Sequence, residues 1–185
     1  PKELGIDTEA KKIIADKAID MVVAAIKSYA FMNYPEKYSP KPVNIDRFFT
    51  INSYLFQEPG LDVIIKPVQT TLIARIHKPT LIILLANMIR NAKKHGKAEK
   101  VQISVSSKNN QIIIEVIDDG EGIPKELKIE DMFKKGVSGG GSSGLGLSDV
   151  PQRLQRMGGA EISCEKNGGI NQGAKFEIRL PKVLN

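Results

Sequence analysis

Apolar residues recur at helical spacing over residues 7–33 and form two stripes on one predicted helix. The first stripe contains Ile14, Ala18, Met21, Ala25 and Tyr29, and the second contains Ile19, Val22, Ile26 and Ala30. An apolar surface this wide on one helix requires a partner. Asn33, Tyr34 and Pro35 end the helix, and the prolines of residues 34–42 mark a boundary. The pattern predicts a helical arm over residues 1–40 and a domain over residues 41–185.

Helical and alternating patterns follow one another through the remaining chain. We predict helices over residues 45–57, 80–95 and 145–157, and strand-like runs over residues 61–66 and 71–76. Residues 101–107 and 111–117 form a predicted hairpin around Asn109 and Asn110, and residues 160–166 and 174–180 form another. A long glycine-rich loop occupies residues 120–144. This order predicts a two-layer α/β sandwich with a mixed, mostly antiparallel sheet packed on about three helices.

The charge balance and the cysteine content exclude several classes of function and of site. The 27 Lys and Arg residues exceed the 21 Asp and Glu residues, but they are scattered, and aromatic residues make up only 5%. This favours a site for a small polyanion over a nucleic-acid surface. The single cysteine, Cys164, excludes an internal disulfide and a cysteine-built metal site, and it fits a reducing compartment. Because the chain begins with Pro1 rather than Met, we expect it to be a piece of a longer protein.

The first candidate site lies on the predicted helix 80–95. Asn87 and Asn91 are four residues apart and share a helix face with Lys94. Amide oxygens can bind Mg²⁺ together with water and phosphate oxygens, and Lys94 can neutralise phosphate charge. The alternative is that both asparagines have a structural role, with their amide groups hydrogen-bonded near the end of the helix. The pattern of this helix alone leaves both interpretations open.

The second candidate site is a strand that ends in Asp118 and turns through Gly120 and Gly122 to Ile123. Glycines allow a ligand to approach the backbone closely, and the carboxylate can accept a hydrogen bond from an exocyclic amine such as that of adenine. A plain Asp-Gly turn is the alternative.

The third candidate site is a glycine-rich segment that leads into the predicted helix 145–157. Successive backbone N–H groups at a helix start can form an anion cradle, here within the segment Ser143, Gly144, Leu145, Gly146 and Leu147. A flexible linker is the alternative. Met132 and Phe133 lie in the loop between the second and third sites. They could anchor this loop as a mobile lid, and the alternative is that they are isolated apolar residues without a role.

These clusters, in this order, resemble the four boxes of the GHKL superfamily, whose ATP-binding domain has the Bergerat fold. Within it, the chain resembles the catalytic domain of a two-component sensor histidine kinase from about residue 43 to residue 181. The resemblance implies binding of ATP and Mg²⁺, with Asn91 as metal ligand and residues 124–143 as the lid. Asn87 and Lys94 are the implied catalytic residues: Asn87 supports the metal or the phosphates, and Lys94 contacts phosphate. The residues expected to contact nucleotide are Asn87, Asn91, Lys94, His95, Asp118, Gly120, Gly122, Ile123, Phe133, Ser143, Gly144, Leu145, Gly146 and Leu147.

Departures from the family pattern refine the expected function. Hydrolytic relatives carry glutamate where this chain has Asn87, and an amide cannot act as a base. This favours transfer of phosphate to a histidine over hydrolysis. Ser142 stands where the family usually has glycine, so a pseudokinase or ATP-sensing interaction module stays open, as does, more remotely, a hydrolytic GHKL ATPase.

The acceptor histidine is expected outside this chain. Neither His77 nor His95 lies on a solvent-facing helix next to an acidic residue, and both are expected to be structural or nucleotide-adjacent. The arm resembles the second helix of the family's dimerisation hairpin, although a helix lying on its own domain is the alternative. The resemblance implies a histidine-containing dimerisation domain of a homodimer and a response regulator receiver domain as partners. It also implies a cytoplasmic location, as part of a sensor that can be membrane-bound.

Overall fold

The computed structural model of the chain describes residues 8–34, 37–68, 70–124, 126, 150–166 and 168–183. Its helices are α1 (Thr8–Asn33), α2 (Ile45–Asn52), α3 (Lys78–Lys94) and α4 (Val150–Gln155), with short 3₁₀ helices at Ser53–Phe56 and Ile170–Gln172. Its strands are β1 (Lys41–Asn44), β2 (Asp62–Ile65), β3 (Ile73–Ile76), β4 (Lys100–Lys108), β5 (Gln111–Asp118), β6 (Glu161–Glu165) and β7 (Lys175–Pro181).

The described strands form one five-stranded sheet and one two-stranded sheet. The larger sheet has the order β2-β4-β5-β7-β6, in which β2 and β4 are parallel and the other neighbours are antiparallel. Strands β1 and β3 pair antiparallel. The two sheets are joined where Ala74 bridges to Lys182 and where the Val183 N–H donates to the Ile73 carbonyl at 2.8 Å. The predicted mixed, mostly antiparallel sheet is confirmed.

One face of the sheet packs on helices and supplies most of the core. Residues alternate between buried and half-buried along β5 and β7, so Ile112, Ile114, Phe176 and Ile178 all point to the helical side. Helix α3 is buried on all sides over residues 80–86, because it lies between the sheet and α1. The predicted two-layer α/β sandwich is therefore confirmed, with α1 packed on the outside of its helical layer.

Helix α1 buries a face that only partly matches the predicted stripes. Ala24, Ser28 and Phe31 are buried against the domain, with Met21, Ala25 and Met32 half-buried beside them. Of the first stripe, Met21 and Ala25 are half-buried in this face, whereas Ile14, Ala18 and Tyr29 are exposed. Within this face, Ser28 Oγ lies 2.9 Å from Thr80 Oγ1 of α3. Ile19, Val22 and Ile26 of the second stripe are 58–63% exposed.

Two local predictions need correction. Strand β1 was not predicted, because prolines surround it and Pro42 lies within it; proline is tolerated there because β1 pairs only with β3 among the described strands. The single helix predicted over residues 45–57 is α2 followed by the 3₁₀ helix Ser53–Phe56. Asn44 caps α2, since its Oδ1 accepts from the Arg47 N–H at 2.9 Å.

Within the described part of the chain, no helix combines the length and the apolar composition that crossing a lipid bilayer requires.

Candidate functional site

The structure brings the first two predicted clusters together where α3 and β5 both end. The Glu121 N–H donates to the Gly96 carbonyl at 2.7 Å, and Lys97 Nζ lies 2.6 Å from Glu121 Oε1. A Cβ on Gly120 would lie 2.2 Å from the Gly96 carbonyl oxygen, so a side chain at position 120 would push the two loops apart. The polar end of α3 and the loop after β5 therefore form one surface.

The helix α3 places Asn87, Asn91 and Lys94 on neighbouring turns, as the sequence predicted. Both asparagines are half-buried, and Lys94 is exposed. The helix ends next to this face, where the Asn91 carbonyl accepts from the N–H groups of His95 at 2.9 Å and Gly96 at 3.2 Å. Lys93 and Lys94 lie in the last turn of α3, where positive charge interacts favourably with the negative end of the helix dipole.

Asp118 is a buried carboxylate at the end of β5. It is 4% exposed, and its Oδ1 accepts hydrogen bonds from the backbone N–H groups of Gly120 and Ala174, each at 3.0 Å. Burial raises the pKa of the Asp118 carboxyl above its ordinary value, although these two hydrogen bonds act in the opposite direction. The fold thus holds a hydrogen-bond acceptor, fixed through one oxygen, at the end of β5 beside the loop that contacts the end of α3.

The neighbouring Asp119 has a different, structural role. Its Oδ1 accepts from the backbone N–H groups of Glu99 and Lys100, both at 2.9 Å, and so fixes the start of β4. Successive strand residues point to opposite faces, so only Asp118 points to the buried side. The structure therefore separates two aspartates that are adjacent in the sequence.

The loop after Asp118 contacts the residue that follows β6. Gly122 has a φ of +73°, which favours glycine, and Ile123 is buried with its N–H donating to the Lys166 carbonyl at 3.2 Å. Gly120 therefore adjoins Asp118, and Gly122 and Ile123 follow it in the same loop, so their contact with a nucleotide stays a prediction.

The side chains at this surface can hold a metal ion only if a bound ligand supplies further oxygen atoms. The described residues contain no group of three or more His, Cys, Asp or Glu side chains that could hold a metal ion by themselves. The amide oxygens of Asn87 and Asn91 are neutral, and Mg²⁺ bound by few protein ligands keeps water and phosphate oxygens in its remaining positions. The donor set thus fits a Mg²⁺–phosphate ligand better than a metal alone.

Several predicted site residues lie outside the described residues: Phe133, Ser143, Gly144, Leu145, Gly146 and Leu147. Sequence reasoning also missed part of the site, because Ala174, in the turn between β6 and β7, donates to Asp118. The one signal in the sequence is the density of glycine in that turn, at Gly168, Gly169 and Gly173.

Of the two roles expected for His77, structural or nucleotide-adjacent, its surroundings fit the structural one. It is buried and stacks on Phe31, with ring centroids 4.3 Å apart and an interplanar angle of 12°. Its Nδ1 lies 2.9 Å from Thr80 Oγ1. Burial, with a smaller effect of the Lys27 charge, lowers the pKa of His77 from 6.5 to about 4, so the ring is neutral at physiological pH. His95, by contrast, is exposed at the end of α3.

A buried polar junction connects three helices around this histidine. Ser28 Oγ lies 2.9 Å from Thr80 Oγ1, and Arg153 Nη1 donates to Ser28 Oγ at 2.8 Å. We call Ser28, His77, Thr80 and Arg153 the buried junction, since it joins α1, α3 and α4. Helix α4 begins at Val150, three residues after Leu147, so the buried junction links α1 to the helix that follows the predicted phosphate cradle in the sequence.

Comparison with known proteins gives a consistent family. Residues 77–184 match the family described as histidine kinase-, DNA gyrase B- and HSP90-like ATPase. The signal transduction histidine-protein kinase AfsQ2 of Streptomyces coelicolor is 38% identical over 114 residues, which is 59% of this chain and 21% of AfsQ2. The first curated relatives are thus much longer, and the chain spans between about a fifth and a third of their length.

Solved structures agree with this match. The ATP-binding domain of PrrB from Mycobacterium tuberculosis superimposes with a TM-score of 0.61 at 30% identity, covering 79% of this chain and 99% of that domain. Full-length ShkA, solved with AMPPNP, shares the fold over 97% of this chain and 40% of its own, with a TM-score of 0.63 at 21% identity. The chain therefore belongs to the histidine kinase-, DNA gyrase B- and HSP90-like ATPases, and within them to the ATP-binding domains of sensor histidine kinases.

Proposed function

We propose that the chain binds ATP with Mg²⁺ and presents the γ-phosphate to a histidine on a dimerisation helix, as the catalytic domain of a two-component sensor kinase. The observation that carries this proposal is the buried Asp118, fixed at one oxygen and adjoining the helix end that bears Asn91 and Lys94. An ionised carboxylate only accepts hydrogen bonds, which suits the exocyclic amine of adenine. Asp118 recognises the base, and the end of α3 receives the phosphates.

Asn87 favours transfer over hydrolysis. A hydrolytic ATPase needs a base to activate water, and a neutral amide cannot accept that proton. Lys94 neutralises phosphate charge, and Asn91, supported by Asn87, ligates Mg²⁺, which supplies further charge neutralisation when bound. Catalysis is then mostly positioning and charge stabilisation, as is usual for phosphoryl transfer.

The proposed phosphate transfer is a single displacement at the γ-phosphorus. An imidazole nitrogen of the acceptor forms a bond to the γ-phosphorus while the bond from that phosphorus to the bridging oxygen breaks. ADP leaves with the electron pair, and the imidazole N–H proton passes to an acidic residue beside the acceptor. Both the acceptor and that acidic residue are supplied by a segment outside this chain.

The exposed face of α1 supports a dimerisation role for residues 1–40. Ile19, Val22, Ile26 and Tyr29 are spaced by three, four and three residues and are 58–63% exposed, while the opposite face is buried on the domain. This spacing is that of a helix-bundle seam. We propose that this seam packs in the four-helix bundle of a homodimer, and that a response regulator receiver domain then accepts the phosphate. We place the reaction in the cytoplasm, where ATP is supplied.

The first experiment tests nucleotide binding by calorimetry, with and without Mg²⁺. Asn91→Ala should remove the Mg²⁺-dependent part of the affinity, and Asp118→Ala should weaken ATP binding by roughly 10-fold or more, because a charge-assisted hydrogen bond is lost. Lys108→Ala is the matched basic control for Lys94→Ala, since Lys108 lies at the far end of β4. Wild-type affinity in both Asn91→Ala and Asp118→Ala would refute the site.

The second experiment tests the reaction. The chain is mixed with radiolabelled ATP and a separately expressed dimerisation hairpin of a sensor kinase, and acid-labile label on the hairpin is measured. Binding of ATP without transfer to any hairpin would favour the ATP-sensing module, for which Ser142 is the supporting observation. Hydrolysis of ATP by the wild-type chain at a rate comparable to that of an Asn87→Glu variant would contradict the assignment of Asn87.

A further inference from the structure

The turn between β6 and β7, which contains Gly169 and Gly173, lies in close contact with Asp118. A Cβ on Gly173 would lie 2.1 Å from the Asp118 carbonyl oxygen and 2.6 Å from its Oδ1. A Cβ on Gly169 would lie 2.3 Å from the same carbonyl oxygen. Non-bonded heavy atoms prefer separations of about 3.5–4.0 Å between carbons, so either side chain would displace the turn or the aspartate.

Backbone conformation does not explain these two glycines. Gly169 has φ −85° and ψ −170°, and Gly173 has φ −61° and ψ 178°, which are extended conformations that any residue adopts. Among the described residues of this turn, Gln172 takes a positive φ, at +76°. Glycine is therefore required at positions 169 and 173 because it has no side chain, and the turn can then approach Asp118 closely.

The turn also holds Asp118 by hydrogen bonds. The Gly169 N–H donates to the Gly173 carbonyl at 2.8 Å, and the Gly173 N–H donates to the Ile170 carbonyl at 3.0 Å, which closes the turn on itself. Ala174 then donates its N–H to Asp118 Oδ1 and accepts from the Asp118 N–H, both at 3.0 Å. The backbone and the side chain of Asp118 are thus fixed by one short, closed turn.

We propose that Gly169 and Gly173 are positioning residues that set the orientation of Asp118 and thereby the preference for a 6-aminopurine base. This inference rests on the proposed function. Among the described residues, both hydrogen bonds to the carboxylate go to Oδ1, which leaves Oδ2 to accept from the base. An amine at position 6 of the purine can donate to that oxygen, whereas a 6-oxo group cannot. A displaced carboxylate loses this discrimination.

The experiment compares the dissociation constants of ATP and ITP, which differ in the 6-amino and 6-oxo groups. Gly173→Ala and Gly169→Ala are the test variants. Gly168→Ala is the matched control in the same turn, because its Cβ would meet Glu165 and Lys175 side-chain atoms, at 2.5–3.1 Å, rather than Asp118. The wild-type chain should prefer ATP by roughly 10- to 100-fold, the range of a charge-assisted hydrogen bond. Both test variants should reduce this ratio towards one, and the control should keep it.

The outcomes separate the inference from the proposed function. A wild-type chain without ATP affinity, or without preference over ITP, refutes the nucleotide site itself. A wild-type chain that discriminates, with a folded Gly173→Ala or Gly169→Ala variant that keeps the same ratio, overturns the positioning role. Unfolding of both variants beside a folded control also overturns it, because the glycines would then serve folding alone. Thermal unfolding of every variant is measured in parallel.

Discussion

Replacement of Phe31 by alanine tests whether α1 unfolds together with the domain. Phe31 is 1% exposed and stacks on the buried His77 at 4.3 Å. Truncation of a buried phenylalanine costs about 3–5 kcal/mol, because apolar contacts are lost and a cavity is left. For a chain of this size, each kcal/mol corresponds to a shift of about 2–4 °C in melting temperature. We therefore expect Phe31→Ala to lower the melting temperature by roughly 6–20 °C.

The matched control is Ile13→Ala in the same helix. Ile13 is 55% exposed and lies outside the proposed dimer seam, so its truncation should change the free energy of unfolding by no more than about 0.5 kcal/mol. Urea unfolding followed by circular dichroism gives both values, and calorimetry gives the melting temperature. If Phe31→Ala costs less than about 1 kcal/mol, or if α1 melts in a separate transition, α1 does not form one cooperative unit with the domain.

Three further predictions concern buried polar groups. Ser28→Ala should reduce the free energy of unfolding by about 1–3 kcal/mol, because Thr80 and Arg153 both lose the hydroxyl they share; an unchanged urea midpoint would show that the buried junction contributes nothing. Acidification from pH 6.5 to 4 should destabilise the wild-type chain by up to about 1.4 kcal/mol per pH unit through His77, since the imidazole takes up a proton near pH 6.5 when unfolded but only near pH 4 when folded. The His77→Gln variant should show a flatter pH profile, and parallel profiles would exclude His77 as the source. Asp118→Asn should leave the melting temperature unchanged or raised, because the fold disfavours the ionised carboxylate, while ATP binding weakens by roughly 10-fold or more; a large fall in melting temperature would contradict this.

The part of the site that depends on local patterns could be predicted from the sequence. Asn87 and Asn91 share a helix face because they are four residues apart, and the alternation of β5 places its last residue, Asp118, at a strand end. Helix period and strand alternation depend only on neighbouring residues. The same reasoning found the hairpin around Asn109 and Asn110, whose φ angles of +49° and +59° suit a tight turn.

Contacts between distant residues could not be predicted in this way. Ala174 donates to Asp118 across 56 residues, and Ser28 meets Thr80 across 52 and Arg153 across 125. The sequence shows only a serine on an otherwise apolar helix, and it does not show which distant residues the hydroxyl contacts. The sequence predicts two apolar stripes on α1 but not which face packs on the domain, since contacts with α3 and α4 decide it.

The position of β7 in the sheet has a consequence for biosynthesis. Strand β7 lies late in the sequence, yet it pairs with both β5 and β6, and β6 pairs with no other described strand. At translation speeds of about 5–20 residues per second, residues 119–175 take roughly 3–11 s to be added after β5 is complete. During that interval the isoleucine-rich edge of β5 has no partner on one side. A nascent chain in this state offers a template for pairing with other strands, so we expect chaperone dependence to concentrate in this interval.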